Sequence, residues 1–163
     1  MNPKTEHKNN GPRPRKRKPE EDSNLDQKLV DLARVTRVTK GGKRMNFRAC
    51  IVIGDKAGQV SFGVAKGADT TIAINKAVAQ AKKRMLKINI KTGTIPYAVQ
   101  EKFKAAEVMI RPGRKGRGII AGGVVRIVLE LAGYRDVVAK IIGSHNKVNN
   151  VKAVYYALKK MNQ

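Results

Sequence analysis

Two glycine turns bracket one stretch of this chain: Lys40-Gly41-Gly42-Lys43 precedes it and Gly54-Asp55-Lys56-Ala57-Gly58 follows it. Between them, Met45–Ile53 alternates and then becomes wholly apolar, as a strand entering a core does. Glycines reach the positive φ that tight reversals need. The stretch therefore reads as the middle strand of a three-stranded antiparallel meander. Its neighbours are residues 28–38, rich in Val and Thr, and Val60–Val64.

A helix is predicted next, over 69–86, capped by Asp69 or Thr70. Ile74, Ala77, Val78, Ala81 and Met85 form its apolar stripe, and Lys76, Lys83 and Lys87 lie on another face. Ile88-Asn89-Ile90 is short and strand-like, and Thr92-Gly93-Thr94-Ile95-Pro96 breaks the chain. Beyond it, Ala105–Ile110 reads as a strand and Pro112–Gly123 as a glycine-rich loop. A helix from near Gly122 to Leu131 follows, on the stripe Val124, Val125, Val128 and Leu131, with Gly133 closing it. Asp136–Ile142 is a further strand. A last helix, capped by Asn149 or Asn150, places Val151, Val154, Tyr155 and Leu158 on one face. The predicted class is α+β: β-β-β-α over 25–92, then β-α-β-α over 93–163.

Residues 1–24 hold four of the six prolines and the run Arg13-Pro14-Arg15-Lys16-Arg17-Lys18, with almost no apolar residues. A disordered basic tail is expected there. The tail carries seven of the 35 Lys and Arg and four of the 12 Asp and Glu, so +20 of the net +23 belongs to residues 25–163. Such a charge repels itself, and a polyanion relieves that cost. Nucleic acid is the expected partner. No uncharged run exceeds nine residues, far short of the roughly 20 that a membrane span needs.

Catalysis and metal binding find little support. One cysteine, Cys50, and two histidines, His7 and His145, make a poor zinc set. Ser144 adjoins His145, but sequence neighbours do not by that fact pair as nucleophile and base. Gly58 and Gly63 have the spacing of a phosphate loop, yet Val64-Ala65 stand where its Lys-Ser/Thr belongs. Ser61-Phe62-Gly63-Val64 lacks the companion aromatics of an RNA-stacking strand, so Phe62 is assigned to the core. Gly113-Arg114-Lys115-Gly116 fits a Gly-x-x-Gly clamp, but a strand rather than a helix precedes it. Its glycine N–H groups, three cations and a following helix N-terminus still read as an anion site.

Gly42-Lys43-Arg44-Met45-Asn46-Phe47-Arg48-Ala49-Cys50-Ile51-Val52-Ile53-Gly54-Asp55-Lys56-Ala57-Gly58-Gln59-Val60 closely resembles the signature of a known family, the fifth protein of the small ribosomal subunit, bacterial type. Gly118-Ile119-Ile120-Ala121-Gly122-Gly123 resembles its second landmark, and Val137–Asn150, with Gly143-Ser144 and Asn146, a third. The likeness runs over about residues 27–160. It implies a first half similar to a double-stranded-RNA-binding domain. It implies a second half of a type also found in translation elongation factor G and small-molecule kinases. Ser61 and the cations Arg114, Lys115 and Arg117 depart from the residues usual in the family.

The resemblance and the charge together set the functional expectations. The chain would be a structural constituent of the small subunit, near the path by which mRNA enters, contributing to assembly and translational accuracy. Its partners would be small-subunit rRNA and the fourth and eighth small-subunit proteins, in the cytoplasm. Residues expected to meet rRNA are Arg34, Arg37, Lys40, Gly41, Gly42, Lys43, Arg44, Arg48 and Lys56, then Arg111, Arg114, Lys115, Arg117, Gly122, Gly123, His145, Asn146 and Lys147. The turn Val38-Thr39-Lys40-Gly41-Gly42-Lys43-Arg44 matches the family's spectinomycin-sensitivity turn. The loop Gly113-Arg114-Lys115-Gly116-Arg117 matches its contact with a protein neighbour. No catalytic residue, cofactor, metal, membrane or self-association is expected.

Overall fold

The computed structural model describes residues 25–90 and 92–162; the expected tail, 1–24, lies outside them. Strands β1 (Asp26–Thr39), β2 (Gly42–Gly54) and β3 (Gln59–Gly67) form the antiparallel meander. Helix α1 (Thr70–Lys82) follows. It ends four residues short of the predicted 86, because Leu86–Lys87 pairs with β3 as a fourth strand, β4. Ser61 helps to fix that end. Its buried hydroxyl shares its proton between the carbonyl oxygens of Ala81 (2.7 Å) and Arg84 (3.0 Å).

The second half has two strands more than β-α-β-α. β5 (Val99–Phe103) and β6 (Ala106–Pro112) form an antiparallel pair where a single strand over 105–110 is predicted. The two-residue β7 (Ile119–Ile120) lies inside the glycine-rich loop. Helix α2 (Gly123–Ala132), β8 (Val137–Ile141) and helix α3 (Lys147–Met161) complete it. The sheet order is β5-β6-β8-β7, with only β7–β8 parallel. The α2 ending is as predicted: Gly133 sits at φ 98° and its N–H bonds the carbonyls of Glu130 and Leu129. The cap of α3 is Asn146 rather than Asn149 or Asn150. Its side chain accepts a hydrogen bond from the Asn149 N–H at 3.2 Å.

The apolar end of β2 has a physical cause. Ala49, Ile51 and Ile53 face α1, where Ala73, Ala77 and Ala81 have no exposed surface. Cys50 and Val52 face the other way, into a core shared with Val125, Val128 and Leu129 of α2, Val154 and Leu158 of α3, and Val108 and Ile110 of β6. The first sheet is thus buried on both sides along this stretch, which removes the polar positions of the alternation. Phe62 joins this core, edge-on to Tyr155 with ring centroids 5.0 Å apart. The second sheet turns Arg111 and Lys140 outward on its open side. Among the described residues no helix is long and apolar enough to cross a membrane.

Candidate nucleic-acid interface

Beyond the buried part of β2, the β1–β2 hairpin runs on as an arm. Arg34, Arg37, Lys40, Lys43 and Arg44 are all exposed on it, and residues 32–47 contain no acidic side chain. The ladder sets Arg37 directly opposite Arg44. Like charges facing each other across a strand pair destabilise it, by roughly 0.2–1 kcal/mol. At the tip, Thr39 Oγ1 donates to the Gly42 carbonyl at 3.1 Å. Only Gly42 needs to be glycine for its backbone (φ 131°); Gly41 has open space where a Cβ would stand. Val38 is 73% exposed, more than any other large apolar residue among those described.

Three of the expected contact residues, Arg48, Lys56 and Lys147, are engaged within the chain. Arg48 donates to Asp31 at 3.1 Å, and the same carboxylate lies 3.7 Å from Lys147 Nζ. Lys56 pairs with Asp26 at 2.5 Å, and its backbone N–H donates to the Leu131 carbonyl at the end of α2. Asp31 therefore ties the root of the arm to the start of α3, a role that nothing in the local sequence advertises.

The basic loop is organised by a residue that the sequence reading passed over. Asp136 Oδ1 accepts the Gly118 N–H at 2.8 Å. That bond, with further ones from the Gly116 and Arg117 N–H groups, holds the Asp136 carboxyl below the usual carboxylate range. Gly116 and Gly118, at φ 82° and 77°, curl the backbone around it. Gly113 lies so close to Asp136 that a Cβ there would stand 2.8 Å from its carbonyl carbon. The loop N–H groups, expected to bind an outside anion, are thus directed at the chain's own carboxylate. Arg114, Lys115 and Arg117 point to solvent around it.

A pH prediction follows. Because folding lowers the pKa, the bonds persist above the ordinary aspartate value of 3.8 and are lost as pH falls through the lowered one. The Gly118 amide resonance should titrate with Asp136 in acid, and Asp136→Asn should abolish that titration. An identical Gly118 response in the variant would refute the assignment.

Elsewhere, the structure brings Gly122, Gly123, His145 and Lys147 together around one cavity, joined by Lys140 and Asn150, which the sequence reading did not select. Arg111 stands apart on the open face of the second sheet. Burial pushes the Cys50 thiol up to about 11, so it is no nucleophile at neutral pH. Among the described residues no three His, Cys, Asp or Glu side chains could hold a metal.

A basic arm, a carboxylate-centred basic loop and a basic cavity stand on a two-sheet α+β frame, which places the chain in the class of strongly basic α+β proteins. Comparison with known proteins makes this specific. Residues 25–89 match the N-terminal domain of ribosomal protein S5, and residues 101–163 match its C-terminal domain. The small ribosomal subunit protein uS5 of a Hydrogenobaculum species is 45% identical over 86% of this chain and 75% of its own length. That of Thermosynechococcus vestitus is 47% identical, over 87% and 82%. That of Treponema pallidum is 45% identical, over 84% and 80%. The chain belongs to the ribosomal protein S5 family.

Proposed function

We propose that this chain is a structural, non-catalytic constituent of the small ribosomal subunit that binds rRNA through its basic arm and loop. The observation that carries the reading is the Arg37–Arg44 pair, opposed at the end of an arm without a carboxylate. A free protein gains nothing from that arrangement; a phosphate between the two guanidinium groups turns a repulsion into two charge-assisted contacts. The family resemblance adds a cytoplasmic setting near the path by which mRNA enters, a part in assembly and accuracy, and the fourth and eighth small-subunit proteins as neighbours. The exposed loop cations are available to rRNA or to an acidic protein surface.

The test is Arg37→Thr. It should raise the stability of the free chain by roughly 0.2–1 kcal/mol by removing the like-charge pair. It should also weaken binding to small-subunit rRNA and lower the slope of log K against log salt by about 1. A variant that binds rRNA as well as the parent would refute the arm's role.

The tip turn offers a second check. Gly41 has room for a side chain, so Gly41→Asp should fold normally while setting a negative charge against phosphate. Ribosomes carrying it should show reduced spectinomycin sensitivity and an altered rRNA footprint. An unaltered drug response together with an unaltered footprint would remove the turn from the interface.

A further inference from the structure

The cavity between the start of α2 and the β8–α3 loop has features that phosphate binding alone does not explain. Its volume is about 450 Å³, within the range of about 300–1,000 Å³ typical of ligand sites. His145 and Lys147 line it, with Lys147 also 3.7 Å from Asp31 Oδ1. So do Gly122 and Gly123, the cap and first residue of α2, a ten-residue helix whose first turn has neither an acidic residue nor a side-chain cap. Free N–H groups at such a terminus favour an anion. Gly123 has an ordinary φ, and outside its own stretch of helix no atom lies within 4 Å of where its Cβ would stand. Nothing in the chain requires glycine there, whereas close approach of a ligand does.

Asn150 supplies the second, independent feature. It is 1% exposed and lines the same cavity. Its Nδ2 donates to the Ser144 carbonyl at 3.1 Å, which fixes the orientation of the amide. Its Oδ1 is buried without a hydrogen-bond partner. A buried acceptor left unpaired is costly, and ionised phosphate, itself an acceptor, cannot satisfy it. The occupant must present an anion to the helix terminus and a hydroxyl donor to Asn150. A ribose-phosphate unit has both, and the 2′-hydroxyl is what distinguishes RNA from DNA. We propose that this cavity is a ribose-phosphate subsite that holds one backbone unit of RNA and selects it over DNA through the Asn150 carbonyl oxygen. The inference rests on the reading of the chain as an RNA binder and names the group recognised at one site.

The test titrates the full chain at constant salt with triuridylate, its 2′-deoxy counterpart, uridine 3′-phosphate and inorganic phosphate. The backbone amides of Gly123 and Val124 and the Asn150 side-chain amide are followed by NMR, so binding on the arm is read separately. Triuridylate should bind at these resonances about tenfold more tightly than the deoxy form. Gly123→Ala, which fits the free chain, should abolish their response while leaving that of Arg37 and Arg44 intact. Equal affinity for the ribo and deoxy forms, or inorganic phosphate binding as tightly as triuridylate, would overturn the subsite. Uridine 3′-phosphate matching triuridylate would reassign the cavity to free nucleotides and so overturn the RNA assignment. Salt-sensitive rRNA binding without a ribose preference would defeat this inference alone and leave the proposed function standing. Because the decisive change is made in the ligand, no Asn150 variant has to fold.

Discussion

Raising salt from about 50 to 200 mM should weaken binding of the isolated chain to small-subunit rRNA by about 10³–10⁵-fold, the loss expected when 6–10 phosphates are neutralised. The structure says which cations can do this. Arg34, Arg37, Lys40, Lys43 and Arg44 on the arm, and Arg114, Lys115 and Arg117 on the loop, are exposed and have no carboxylate partner among the described residues. Arg48 and Lys56 are engaged by Asp31 and Asp26 and should add little to the slope. Filter binding across a salt series gives the measurement. A flat profile would show that these cations do not meet phosphate.

The second large effect is on stability. Gly63 on β3 lies against the backbone of α1: a Cβ there would stand 1.9 Å from the Ala77 carbonyl oxygen and 3.1 Å from the Ala81 nitrogen. The helix meets the sheet through Ala73, Ala77 and Ala81, so no long side chain can swing aside and absorb the intrusion. Gly63→Ala must instead lift α1 from β2 and β3 and open the cluster formed with Ile51 and Ile53. Overpacking of an ordinary core costs about 1–3 kcal/mol. Here backbone is struck, and a loss of about 3 kcal/mol or more is expected, a drop of roughly 10 °C in melting temperature. Thermal unfolding followed by circular dichroism measures it. A variant melting within about 2 °C of the parent would mean that α1 is not seated as described.

What could be read from the sequence follows from where each signal lies. The meander was legible because its turns are marked by glycines and its central strand by its pattern. The end of α2 was legible because Gly133 is the left-handed residue such an end requires. β5 was missed because Val-Gln-Glu-Lys-Phe is half polar, on a strand that pairs along one side only. β7 is two residues long and carries no periodicity. The end of α1 was set by Ser61, 20 residues from Ala81 in sequence, and by pairing of Leu86 with Val60. Asn149 and Asn150 both read as caps because they precede an apolar stripe, yet both lie within the helix, Asn150 buried, and Asn146 holds the cap. The basic side chains of the arm and loop were visible from composition and turn chemistry. Asp31 and Asp136 were not, because each acts on residues far along the chain.

The arm also bears on the time between synthesis and incorporation. β1 is 14 residues long and, among the described residues, pairs along one side only, at the edge of its sheet. Leu29, Leu32 and Val38 are exposed along it. A long free edge with apolar side chains invites a second copy to pair with it and begin an aggregate. Arg34 and Arg37 stand on that same strand, with Lys40 at the turn just beyond it, and like charges there oppose the approach of an identical chain. The cations proposed to grip phosphate therefore also act as gatekeepers of solubility. Neutralising all three at once would leave that edge unguarded, whereas Arg37→Thr alone keeps Arg34 and Lys40 beside it.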